Sequence, residues 1–487
     1  MKLRRIHIVA IVAAILYVGT VSVLGVIWGA DTGAKTAGVT EGQKGGGDPD
    51  AGAAIDEARV SAFEAAQTLG IAGVPDPIEH ISTPGWAKEL PFSKTQDDWE
   101  PAIAADDAGH VYMLTTRYGA QPACTDCPKV FIALKRSMDG GATWLPDQYL
   151  CECEGMGWQA DPVLVVDDSG RVFAIWLQGF KPGIAFTRSD DFGATWTAPQ
   201  WISGMTDHWS DKPWIATSGD GEDAYVFFNG WERGTPYVSI SHDAGDTWSQ
   251  VHLPDFDNLG RYFYADGATV LPDGTVLGSQ AAWRQGYKTG RVRTFVFRSA
   301  DEGATWSRVP VGTYPWGNKC PEWAKCGYNF LGPTLAITSD DAGNAYALGN
   351  GGKKPHGPGR VWFRSSTDGG ATWSLPSEVS EAPEGADHEF PMLTATGDGR
   401  VTAAWQDDRT GAWNTWLRQS TDGGLSWGPE VRISNATSGA PYKSHAGYRF
   451  PYGDYGMLAT GQGRVWAIWG ESLSYYGPGG SWFMHST

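Results

Sequence analysis

Positive charge is in short supply in this chain. Lys and Arg total 37 against 55 Asp and Glu in 487 residues, a formal net charge of −18. That shortage excludes nucleic acid as a partner, because phosphate binding needs clustered Lys and Arg. The surplus acid reads as a solubility device. Cysteine is sparse too. The six are Cys124, Cys127, Cys151, Cys153, Cys320 and Cys326. An even count beyond an export segment reads as a set of disulfide candidates, with Cys320 and Cys326 placed to close a small local loop. A zinc site drawn from Cys124-x-x-Cys127 and Cys151-x-Cys153 is the alternative.

The export segment lies at the start. Lys2, Arg4 and Arg5 precede an almost uncharged run from Ile6 to Gly29. That run is long enough to cross a bilayer as a helix, and the basic residues before it keep the N-terminus in the cytoplasm. It reads as an uncleaved transmembrane anchor over residues 1–30, the chain's only membrane contact, with a cleaved signal peptide and secretion as the alternative. Residues 31–77 form a Gly-rich linker that cannot bury a core, with one short helix expected over Ala54–Leu69. Residues 78–487 carry the folded domain. The sequon at Asn435 reads as chance behind an anchor of this kind.

That domain is repetitive. "SMDGGATW" at Ser137 returns as "SDDFGATW" at Ser189, "SHDAGDTW" at Ser241, "SADEGATW" at Ser299, "STDGGATW" at Ser366 and "STDGGLSW" at Ser420. A period of this size means one supersecondary unit used many times. Before each octet stands a short apolar run, a Gly/Asp turn and an alternating run, as in "ADPVLVVDDSGRVFAIWLQ" from Ala160. That is a β-hairpin. Two further strands flank the octet, so each unit has four strands, A to D. Four-stranded units at this period are propeller blades. Seven copies of strand A predict an all-β, seven-bladed propeller, with six blades as the alternative. The chain stops where the last D strand should begin, so the segment around His80–Phe92 is placed to supply it and close the ring.

The octets, at the C-to-D turns, share one face with the A-to-B turns. The opposite face carries long loops rich in aromatic and charged residues, and such loops are commonly functional. Strand A starts on that face beside the central channel. A carboxylate stands at or near the start in six blades: Glu100, Asp161, Asp211, Asp266, Glu389 and Asp454, with Gly332 in the remaining one. Carboxylates converging on a channel mouth repel, so at least one must hold its proton unless a cation compensates. Acid/base work or a bound cation such as Ca²⁺ would follow. Asp266 and Asp454, among Tyr262, Tyr264, Tyr452 and Tyr455, are the leading catalytic candidates.

The octet pattern Ser-x-Asp-x-Gly-x-Thr-Trp resembles the Asp-box of the sialidase (neuraminidase) superfamily, over about Trp99 to Thr487. The resemblance implies a propeller, and Asp-boxes also occur in propellers of other functions. Sialidases hold the substrate carboxylate with three Arg, use a Tyr activated by Glu as nucleophile, and use an Asp as acid/base. Their first Arg belongs to an Arg-Ile-Pro motif at the first A strand. Here the matching tripeptide is Trp99-Glu100-Pro101, and no other A strand begins with Arg. The expectation is therefore a glycoside hydrolase or related carbohydrate-active protein working through channel carboxylates. Trp99, Tyr264 and Tyr455 would stack on sugar, and Arg409 with Asp407 and Asp408 would hold hydroxyls. A non-catalytic module binding glycan or protein is one alternative. A true exo-sialidase, its anion clamp rebuilt from Arg117, Arg284 and Arg409, is another.

Overall fold

The computed structural model describes residues 83–487 except 204–209, 231–234, 254–261, 284–290, 316–332, 356, 412, 435–442, 445–446, 449–454 and 472–479. The expected N-terminal anchor, linker and short helix, with Asn435, Cys320, Cys326, Arg284 and Asp454, lie outside the described residues.

Seven four-stranded antiparallel sheets form the domain. Their A strands are Asp97–Ala105, Gln159–Val166, Ser210–Thr217, Tyr262–Val270, Leu335–Ser339, His388–Thr396 and Gly456–Gly461. Each A strand contacts the A strands of both neighbouring blades, and the last contacts the first. The sheets thus close into a seven-bladed ring, which rules out the six-bladed alternative. In the seventh sheet the outermost strand is Leu90–Pro91, paired with the last strand, Gly480–His485, through Leu90 opposite Phe483 and Pro91 opposite Trp482. The segment ahead of the first blade therefore completes the last one, as the missing D strand required.

The core follows from this arrangement. It consists of seven apolar clusters, one between each pair of adjacent blades. Strand B of a blade is covered on both faces by its neighbours. Val111–Tyr118, Val172–Gln178 and Ala224–Gly230 are accordingly buried at every position rather than at alternate ones. A residue such as Phe173 or Trp176, fully buried here, contributes roughly 2–3 kcal/mol through lost apolar surface.

The octets are the rivets of this packing. In the first, Asp139 Oδ1 accepts from Ser137 Oγ and Thr143 N, both at 2.8 Å, and Asp139 Oδ2 accepts from Thr143 Oγ1 at 2.6 Å. The other five copies repeat the pattern, the last with Ser426 in place of Thr. These bonds hold the Asp191, Asp368 and Asp422 carboxyls down at about 2. The octet Trp wedges onto the preceding blade: Trp248 lies 4.9 Å from Phe186, and Trp427 lies 5.1 Å from Phe363. The octet Gly comes closer still. Gly424 has φ +83°, and a Cβ there would sit 2.1 Å from Phe363 Cε1 of the neighbouring blade. Gly424→Ala is therefore expected to cost about 2–4 kcal/mol, combining a left-handed Ala with overpacking. Gly463→Ala, at φ +70° with open space around it, should cost only about 1–2 kcal/mol. Urea midpoints of the two variants check the difference.

Candidate functional site

The site is built by a repeated defect in strand A. Five A strands slip register where they begin: between Trp99 and Ala102, Ala160 and Val163, Asp211 and Trp214, Ala265 and Ala268, and Glu389 and Met392. Each slip contains a residue followed by Pro or Gly: Glu100-Pro101, Asp161-Pro162, Lys212-Pro213, Asp266-Gly267 and Phe390-Pro391. Pro cannot donate to the ladder, so a bulge is where it is tolerated. The residue before it adopts left-handed backbone in four of the five, with φ between 50° and 54° at Glu100, Asp161, Lys212 and Phe390. That costs about 1–2 kcal/mol for each non-Gly residue. The corresponding pairs in the other two blades are Gly332-Pro333 and Tyr455-Gly456. Aligned in sequence on the following Pro or Gly, the seven positions read Glu, Asp, Lys, Asp, Gly, Phe, Tyr.

Four of these side chains meet at the axis. Tyr455 OH lies 2.6 Å from Asp161 Oδ1, 3.1 Å from Glu100 Oε1 and 2.9 Å from Lys212 Nζ. Lys212 Nζ donates to Asp161 Oδ1 at 2.7 Å. Glu100 Oε2 accepts from Thr116 Oγ1 at 2.6 Å and from Asp161 N at 2.8 Å, which ties the first blade to the second. The Lys212 ammonium also lies over two rings, 4.9 Å from the Tyr455 centroid and 5.7 Å from that of Tyr264. Two residues beyond Tyr455, Met457 packs against the apolar clusters of three successive blade interfaces, and its sulfur is 3.4 Å from Ile103 N.

Burial sets the protonation states. Glu100, Asp161 and Lys212 are each at most 9% exposed. Burial, then the Asp161 charge, pushes the Glu100 carboxyl above its ordinary range. Burial raises Asp266 to about 7, against a hydrogen bond from Thr334 and the charge of Lys212. Burial works against the Lys212 charge, but Asp161, Tyr264, Asp211 and Glu100 outweigh it and hold the ammonium protonated. Tyr455 is pushed well above the usual phenol value by burial, then by Asp161 and Glu100. The repulsion expected of converging carboxylates is thus met in two ways: one cation is inserted, and Glu100 is raised beside Asp161, whereas Asp266 is raised by burial.

The other candidates fall elsewhere. Asp211 precedes the bulge position, and its Oδ1 accepts the Lys212 backbone N–H at 2.9 Å. Glu389 also precedes it and accepts from Asn350 Nδ2 between blades. Trp99 is fully buried and its Nε1 donates to Asp97. Arg117 is buried against Asp98, at 2.7 Å, and Asp147, at 2.8 Å. Arg409 pairs with Asp407 and Glu430 and stacks 3.9 Å from the Trp416 ring centre. Asp408 Oδ1 accepts the Asp387 N–H at 2.8 Å. Cys124–Cys127 and Cys151–Cys153 are bridged locally, in adjoining loops linked by Gly155 N to Asp126 O at 3.0 Å. Among the described residues, no group of three or more His, Cys, Asp or Glu is arranged to hold a metal. Sequence reasoning missed Lys212, Thr116 and Met457. The signal for Lys212 was the Pro that follows it, as Pro follows Glu100 and Asp161.

No protein-family model matches the chain, and no curated protein matches it in sequence. Solved structures do resemble it. A protein of unknown function from Dyadobacter fermentans is 16% identical with a TM-score of 0.47, over 83% of this chain and 99% of that one. A Hadza microbial sialidase is 15% identical with a TM-score of 0.45, over 80% of this chain and 66% of that one. An ulvan lyase of a new polysaccharide lyase family is 12% identical with a TM-score of 0.48, over 84% and 93%. Likeness at this level assigns no chemistry to this chain, whose seven-bladed ring of Asp-box blades rests on its own sheets.

Proposed function

We propose that this propeller is a glycoside hydrolase working at the channel mouth, with Tyr455 as nucleophile. One observation carries the reading: the Tyr455 hydroxyl is within hydrogen-bond reach of two carboxylates and an ammonium at once. A phenol is a poor nucleophile until a base takes its proton. Asp161, or Glu100 at its other side, accepts that proton as the Tyr455 oxygen attacks the anomeric carbon. Lys212 donates to the same oxygen and limits the charge that builds on it. Asp266, with a carboxyl raised to about 7, protonates the departing glycosidic oxygen and then, as carboxylate, activates the water that releases the sugar. The negative surroundings suit a transition state with cationic character at the sugar ring.

The anion clamp of a sialidase is not expected here, since Trp99 occupies the place of its first Arg and lies in the core, and Arg117 and Arg409 are already paired. The N-terminal apolar run would hold the domain on the outer side of a membrane, where disulfides persist.

A screen of aryl glycosides, with a sialoside included, tests the reading. Release of phenol from a non-sialoside by the wild-type chain supports it. Sugar binding with no turnover of any glycoside would make the domain a binding module instead. The pH profile carries a further expectation. If Asp266 is the acid, kcat/KM declines as pH rises through about 7, because the group must be protonated to donate. Asp266→Asn should remove that descending limb along with most of the rate; a limb that survives in the variant assigns the acid elsewhere.

A further inference from the structure

Resting on that reading of the channel mouth, we propose that the sugar taken at this site bears a free, protonated amine. Three carboxyl groups, Glu100, Asp161 and Asp266, enter from the first, second and fourth blades, and the one ammonium among them in the described residues, Lys212, enters from the third. That ammonium is already committed. It donates to Asp161 Oδ1 at 2.7 Å and to Tyr455 OH at 2.9 Å, and it lies against two aromatic rings. Asp266 Oδ2 is buried and has no hydrogen-bond partner among the described residues. Glu100 is raised by the neighbouring Asp161 charge, and Asp266 is raised by burial.

Two described arginines of the loop face are held away from the cluster. Arg117 is locked between Asp98 and Asp147, and Arg409 between Asp407 and Glu430. Among the described residues the cluster is thus short of positive charge and holds a buried acceptor open. A ligand ammonium supplies both the charge and a charge-assisted hydrogen bond, the strong kind. A hydroxyl supplies only the hydrogen bond. An acetamido group supplies no charge, and a sugar acid is repelled. An ammonium on the reacting sugar would also let the raised carboxyls ionise around it, so the ligand gains from the same burial that costs the free protein.

The test is binding, read by calorimetry at pH 7 on the full chain. The ligands are the methyl glycosides of 2-amino-2-deoxy, 2-acetamido and unsubstituted hexoses, and of the uronic acid, in both the gluco and galacto series. In at least one series the amine should bind at least about tenfold tighter than its hydroxyl and acetamido counterparts, with no detectable uronate binding. Asp266→Asn should bring amine and hydroxyl to within about twofold of each other. A thermal melt of that variant establishes that it is folded. Equal binding of amine and hydroxyl, tighter binding of the acetamido sugar or uronate, or binding of none of these ligands overturns the proposal. Because turnover is not the readout, amine binding without hydrolysis overturns the hydrolase reading alone. Hydrolysis of neutral glycosides with no amine preference overturns this inference alone.

Discussion

Tyr455→Phe is expected to lower kcat on the best aryl glycoside by about a thousandfold or more, because it removes the attacking oxygen itself. The variant keeps the ring that packs 6.1 Å from Phe390 and lies under Lys212. Asp161 keeps its bond from Lys212 at 2.7 Å. The stability cost should therefore stay near that of a lost hydrogen bond, about 1 kcal/mol. A melting curve beside the rate measurement separates the two effects. Glu100→Gln should be the milder change, about 10²- to 10⁴-fold, since Asp161 also touches the phenol. Turnover by Tyr455→Phe within tenfold of wild type would transfer the nucleophile's role to a carboxylate.

The bulge explains how one fold sets up this chemistry. A propeller offers seven equivalent positions around an axis. Five lie in a register slip and four of those are left-handed, so at these positions the side chain is aimed by backbone rather than by packing. Changing the residue at one position changes the site without touching the blade. Here a cation, a phenol and carboxylates occupy neighbouring positions. The strain of several left-handed residues is carried by blades whose clusters and Asp-boxes lie elsewhere. That is where functional strain is expected to be stored.

Most of the fold was legible because it repeats. Six octets at regular spacing gave the blade, and seven A strands gave the ring. The missing final strand pointed to the segment that closes it. The octet's repetition also argued for structure over catalysis, and the Asp139 and Gly424 geometry gives the reason. The site was legible only in part. Aligning the A strands by their carboxylates drew in Asp211, Glu389 and Asp454, each one residue ahead of the position that a Pro or Gly follows. Aligning them by the following Pro or Gly gives Lys212, Phe390 and Tyr455 instead. A bulge shifts the inward position by one, and residue chemistry alone does not reveal the shift. The fates of Arg117 and Arg409 were less legible still. Their partners, Asp147 and Glu430, stand well away from them in sequence and meet them only after the blades form.

The ring's closure should be its weakest joint. The strand Leu90–Pro91 makes only two residue pairings with the seventh blade. Bonds from Phe92 N to Ser481 O, Ala87 N to His485 O and Thr487 N to Gly85 O, each 2.8 Å, extend it. Its apolar anchor is Phe92, 2% exposed, in the cluster between the last and first blades. Arg117 and Lys135 lie 5.7 and 5.2 Å from its ring centre. Phe92→Ala therefore opens a cavity and also takes the ring away from two cations. Its expected cost is about 3–5 kcal/mol, the usual range for a buried Phe. A chain beginning at Ser93 should lose more than the point variant, because it exposes the edge of Gly480–His485 as well as the cavity. Denaturant midpoints of the two, against a chain beginning at Ile78, measure the difference. An unchanged midpoint for the shortened chain would mean that the ring is held by its inner strands alone, and that the borrowed strand is dispensable.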